Sequence, residues 1–111
     1  MGYEATDLLR LDPRLGDSGE SGVEILACRL TMDDPDSDGD YKWHFAARVR
    51  FSAETPPFGL TLLLLDGVGL PLSNTGLGFT PTIDATVNIV EGYNWAKQQP
   101  VEAQLVLVLN P

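Results

Sequence analysis

The chain has 111 residues and carries 16 Asp and Glu against 7 Lys and Arg, a formal net charge of −9, with 43% hydrophobic and 21% charged residues. That is the size and composition of one globular domain, which excludes a disordered or fibrous chain, and the negative charge disfavours nucleic acid and anionic membranes as partners. No apolar run approaches the roughly 20 residues of a membrane-spanning helix, and the single cysteine, Cys28, excludes an internal disulfide or a thiolate metal cluster within one chain.

The opening MGYEATDLLR lacks a basic segment followed by an apolar one. A protein that is not exported is therefore expected, cytoplasmic or held within a virion or other particle. Residues 1–22 read as an arm and linker, with Leu8, Leu9 and Leu11 closed by Asp12-Pro13 and followed by GDSGESG, a stretch of turn composition. Acidity is concentrated towards this end: residues 1–40 hold eleven acids and three bases, residues 41–111 five acids and four bases.

Residues 23–111 are expected to form one domain. Val23 to Met32 is rich in strand formers, with Leu26, Cys28, Leu30 and Met32 as its inward face. Tyr41 to Ser52 alternates strictly: Tyr41, Trp43, Phe45, Ala47, Val49 and Phe51 on one side, Lys42, His44, Arg48 and Arg50 on the other. The leucine-rich run at 60–65 meets Asp66-Gly67 and resumes at Val68, the signature of a hairpin with positive φ at its turn, and Pro71 marks the second arm as an edge. SNTGLGFTP is irregular by composition. Ile83, Ala85, Val87 and Ile89 then predict the inward side of another strand, EGYNWAKQQP a connection, and Val101, Ala103, Leu105, Leu107 and Leu109 the inward side of the last strand.

Five to seven short strands separated by Gly, Pro and Asp signals, with no helical period, predict an all-β fold: an antiparallel two-sheet β-sandwich in an immunoglobulin-like arrangement.

Four features bear on function. Asp34, Asp36, Asp38 and Asp40 alternate around Gly39, and carboxylates so spaced converge on a hard cation where glycine permits a sharp turn. They are the candidate metal ligands, for Ca2+, the one cofactor considered. The segment resembles the first half of an EF-hand loop and the aspartate repeats of thrombospondin-like calcium modules. Its twelfth position, where an EF-hand has a bidentate Glu, is Phe45. A solvated hairpin loop is the competing explanation.

Outward-facing Lys42, His44, Arg48 and Arg50 form a basic stripe that suits an acidic partner, or that Glu24, Asp84 or Glu102 neutralise across the sheet. Tyr93 and Trp95 are candidate ligand-binding aromatics, able to stack on a sugar or anchor a protein interface. Gly76-Leu77-Gly78-Phe79 resembles the carboxylate-binding loop of PDZ domains, but no groove helix follows it, so a loop lying over the sandwich edge is expected.

No catalytic residue is assigned, because Cys28 reads as inward and the lone His44 as outward. Finally, the strands at 60–65 and 101–109 are apolar on both faces. Leu63, Leu65, Val106 and Val108, together with Leu8, Leu9 and Leu11 of the arm, are therefore the candidate interface. The function expected is a non-catalytic interaction or assembly module, partnered by protein: a homo-oligomer or a larger complex such as a phage or other particle. The alternative is a calcium-dependent, carbohydrate-type binding module.

Overall fold

A computed structural model describes residues 2–15, 22–51, 57–81 and 87–109. Among them nine strands are formed: β1 (Tyr3–Glu4), β2 (Leu9–Leu11), β3 (Glu24–Met32), β4 (Tyr41–Arg50), β5 (Phe58–Leu65), β6 (Pro71–Gly76), β7 (Gly78–Pro81), β8 (Val87–Ala96) and β9 (Glu102–Leu109). One 3-10 turn, Thr6–Leu8, joins β1 to β2. The strands make a five-stranded sheet, β1-β3-β4-β8-β7, and a four-stranded sheet, β2-β9-β5-β6.

The expected all-β, two-sheet architecture holds. The sheets share one core, with Leu30, Met32, Trp43, Phe45, Val49 and Val90 from the larger and Leu60, Leu62, Leu64, Leu105 and Leu107 from the smaller. Polar bridges cross between them at one end. The buried indole Nε1 of Trp43 donates to Ser73 Oγ at 3.2 Å, and Asn94 Nδ2 donates to Thr75 Oγ1 at 2.8 Å. A buried indole N–H needs such a partner. The other end is closed by Phe51, Phe58 and Phe79, packed edge to face with centroids 4.8 to 6.1 Å apart.

The sheets are not wholly antiparallel. β2 runs parallel to β9, with Leu9 opposite Ala103 and Leu11 opposite Leu105. β1 and β2 are joined by four residues without a reversal of direction, so the N-terminal segment steps from the edge of one sheet to the edge of the other. Residues 3–11, expected as part of an arm, thereby supply an edge strand to each sheet. Beyond β2, side chains continue the ladder. Asp12 N donates to Leu105 O at 2.9 Å, the Asp12 carboxylate accepts the Leu107 N–H at 3.0 Å, and Arg14 donates to Leu107 O.

Several sequence expectations are corrected. In β3 a bulge between Ile25 and Ala27 shifts the register, so Val23 and Ile25 face the core before it and Leu30 and Met32 after it, while Leu26 is only half-buried. The stretch expected to be irregular, residues 73–81, is strand instead: the hairpin's second arm, β6, extends to Gly76 at the edge of one sheet, and β7 lies at the edge of the other, with buried Leu77 at the crossing. In the hairpin loop the positive φ belongs to Gly69, at +83°, not to the Asp66-Gly67 pair.

The largest correction concerns β8, which continues through the expected connection to Ala96. Its facing is also the reverse of the expectation. Asn88 and Val90 are buried and Ile89 is exposed; Ile83 and Ala85 lie outside the described residues. Asn88, Val90, Gly92, Asn94 and Ala96 stand opposite the inward residues of β4. The inner row has to be small there. A Cβ on Gly92 would come within 2.5 Å of Leu77 Cδ2.

Candidate functional site

Two features that are separate in sequence meet on the outer face of the five-stranded sheet. The antiparallel register of β4 and β8 sets Lys42 opposite Trp95, His44 opposite Tyr93, Ala46 opposite Glu91 and Arg48 opposite Ile89. Because Asn88, Gly92 and Asn94 take the inner phase of β8, its large side chains point outward: Tyr93 is 58% exposed, Trp95 46% and Ile89 37%. Exposed Tyr and Trp near an Arg are the residue types that carry most binding energy in protein interfaces.

The Lys42 ammonium lies 4.8 Å from the Tyr93 ring centroid and 5.2 Å from that of Trp95. The two rings are 5.9 Å apart and meet at 79°. Cation–π attraction therefore holds the lysine head between them. Since the rings are tilted and partly covered by the lysine, they do not offer the flat open platform that a sugar ring would stack on. The His44 ring lies 6.3 Å from Tyr93, and its Nε2 is 3.6 Å from Asp33 Oδ2.

Between the rows of long side chains the floor is low. Ala46 and Gly92, walled by Arg29, Thr31, His44 and Tyr93, enclose an open groove of about 420 Å³. It continues through Arg29 and Ala46 into a second depression of about 290 Å³, bordered by Ala27, Arg48 and Ile89. Charges around it are partly spent. Arg29 pairs with Glu4, whose carboxyl is held below its ordinary range chiefly by the hydrogen bond from Arg29 and then by that from Thr6. Arg50 pairs with Glu24 at 3.8 Å, one of the cross-strand partners expected from sequence. Among the described residues Arg48 makes no salt bridge.

The aspartate loop is built as a turn. Asp36 N donates to Asp40 O and Gly39 N to Asp36 O. Asp36 Oδ1 accepts the N–H groups of Asp38 and Asp40 at 2.9 and 3.0 Å, and Gly39 has φ +83°. The β5–β6 loop repeats every element of this frame. Asp66 N donates to Leu70 O and Gly69 N to Asp66 O, Asp66 Oδ1 accepts from Val68 and Leu70, and Gly69 has φ +83°. Asp-x-x-Gly-x is thus a loop code used twice, once with acids and once with Val68 and Leu70 at the displayed positions.

Carboxylate oxygens of Asp36, Asp38 and Asp40 lie within 4.8 Å of one another, a set that does not include Asp34. One oxygen of Asp36 is already engaged by two N–H groups, and Lys97 Nζ sits 3.1 Å from Asp40 Oδ1.

The residues expected as an apolar interface do not share one surface. Leu8 and Leu9 pack against the shared core, and Leu11 is exposed at the β2 edge. On the outer side of the smaller sheet Leu63 and Val106 are half-buried, Leu65 is buried and Val108 is exposed, with Gln104 opposite Leu63 and Thr61 opposite Val106. Cys28 stands opposite buried Ala47, away from outward His44, and burial raises its thiol pKa.

Sequence reasoning missed Ile89, Ala46, Ala27 and Arg29 as parts of this outer face. The available signal was the polar phase Asn88, Gly92 and Asn94, which leaves Ile89, Tyr93 and Trp95 to the other side. No helix among the described residues is long and apolar enough to cross a membrane. Comparisons with protein-family models, curated proteins and solved structures find no match for the chain.

Proposed function

We propose that this chain is a non-catalytic protein-interaction module, a β-sandwich of immunoglobulin-like arrangement that binds its partner with the outer face of the five-stranded sheet. The observation that carries the reading is the meeting of Tyr93 and Ile89 with Arg48 along one shallow, alanine-floored groove, with Trp95 and Lys42 packed beside Tyr93. The immunoglobulin-like assignment is supported by strand order. β3-β4-β8-β7 follows the order A-B-E-D, and β6-β5-β9 follows C′-C-F. The place of strand G beside F is taken by β2, running parallel.

A catalytic role has no support in the side-chain geometry, since the thiol and the imidazole belong to opposite faces of one sheet. The calcium-dependent, carbohydrate-type alternative is favoured by the three neighbouring carboxylates. Against it stand the second loop of the same frame without those acids, the lysine on Asp40 and the tilted aromatic pair.

The test is selection of random dodecapeptides displayed against the folded protein. Selected peptides are expected to compete with one another and to lose binding to an Arg48→Glu/Trp95→Ser variant whose melting is unchanged. Selection of no binders, or of binders that the variant retains, would overturn the reading.

A further inference from the structure

The strand directions gather three connections at one end of the molecule. The Asp33–Asp40 loop follows β3, the Asp66–Leu70 loop follows β5, and residues 97–101 lead from β8 into β9. This last segment ties the other two together: Lys97 pairs with Asp40 at 3.1 Å, while Val101 N donates to Leu65 O and its side chain lies against Gly67. The apolar residues shown there are unusually open, Val68 being 80% exposed, Leu70 61% and Val101 61%. Acids stand beside them. Asp36 and Asp38 are exposed on a loop held in shape by its own hydrogen bonds.

The outer sheet face offers the opposite set. Its groove is floored by Ala46, Gly92 and Ala27 and bordered by Tyr93 and Ile89, with Glu91 the one acid in its lining and Trp95 beside Tyr93, so it accepts apolar side chains. Its two cations without a carboxylate partner among the described residues, Lys42 and Arg48, flank that groove along β4. In a chain of net charge −9, this face and this loop end match in both respects, apolar tip to apolar groove and acid to base. General repulsion between copies is largely screened beyond about 8 Å at physiological salt, whereas charges brought into contact and partly buried by docking are screened less.

We propose that the loop end of one copy docks on the outer sheet face of a second copy, with Val68 and Leu70 entering the groove and Asp36 and Asp38 together facing Arg48. The inference rests on the reading of that face as a binding surface and names a copy of the chain as its occupant. The two halves of the contact are different surfaces, so the association is head to tail, and it continues beyond two chains unless the rotation closes a ring.

Sedimentation velocity on wild type, a loop variant (Val68→Ser/Leu70→Ser) and a face variant (Lys42→Glu/Arg48→Glu) tests this. The altered side chains are outside the core, and the melting curve of each variant is to be checked against wild type. Wild-type mass is expected to rise with concentration past two chains or to a closed ring. Each variant alone stays at one chain. An equimolar mixture of the two variants gives a species of two chains and no more, because only one intact half comes from each. A wild type that remains one chain at the highest attainable concentration would overturn the self-contact, as would oligomers that both variants still form or a mixture that restores nothing. Failure here with displayed peptides still bound to the face removes only the second copy as occupant. Failure of both removes the face itself.

Discussion

Replacing Asp12 by Ala isolates how the N-terminal segment is fastened to β9. The Asp12 carboxylate accepts the Leu107 N–H at 3.0 Å, the Arg14 N–H at 3.0 Å and Arg14 Nε at 3.1 Å. The ion pair itself adds little, because the Arg14 side chain is 47% exposed. The main loss is the acceptor for a part-buried backbone donor of β9, which costs about 1–3 kcal/mol. For a domain of this size that lowers the melting temperature by about 4–12 °C. Asp12→Asn keeps an oxygen acceptor and falls between.

The pH dependence supplies a second readout. Hydrogen bonds from the Arg14 side chain, then from the backbone N–H groups of Arg14 and Leu107, hold the Asp12 carboxyl well below its ordinary range despite the opposing effect of burial. A carboxyl depressed in the folded state contributes stability that is complete above its unfolded pKa, about 4, and is lost as the pH falls further. Urea denaturation of wild type and Asp12→Ala should therefore give a stability gap that is constant near neutrality and narrows below about pH 4. A loss under about 0.5 kcal/mol, or a gap that does not narrow on acidification, would refute the clamp.

Gly92→Ala forces Leu77 to shift and should cost about 1–3 kcal/mol; in a double-mutant cycle with Leu77→Ala the double variant should lose less than the sum of the two single losses, and strict additivity would contradict the contact. Ser73→Ala leaves the buried Trp43 N–H without its partner across the sheets, an expected loss of about 1–3 kcal/mol, and Trp43→Phe should cost less in that background than in wild type in denaturant titrations. Asp36→Ala and Asp66→Ala each remove two turn hydrogen bonds and should lower stability by similar amounts, about 1 kcal/mol, whereas Asp38→Ala is near neutral. Millimolar calcium should leave the melting temperature unchanged, and a rise would restore Asp36, Asp38 and Asp40 as ligands.

β4 was legible because its two faces differ in chemistry from Tyr41 to Arg50 everywhere but at Ala46 and Ala47, and the structure keeps that alternation. β8 was not, because its inner row opposes the bulky Trp43 and Phe45 and the intruding Leu77, and is filled by Asn88, Gly92 and Asn94. Hydrophobicity alone then points the wrong way, and the same inversion exposes Ile89, Tyr93 and Trp95. The parallel pairing of β2 has no local signature, since its partner β9 is more than ninety residues along the chain. The basic row and the aromatic pair were each visible in sequence. Their meeting depends on the β4–β8 register, which period-two patterning cannot supply.

The claim that the five-stranded sheet carries the binding face is tested most directly by amide-resolved NMR of the labelled protein with one display-selected dodecapeptide. Shifts confined to Lys42–Arg48 of β4 and Ile89–Trp95 of β8 are expected. Shifts centred instead on Thr61–Leu65 of β5 and Val106–Val108 of β9 would contradict the claim and return the interface to the outer side of the smaller sheet.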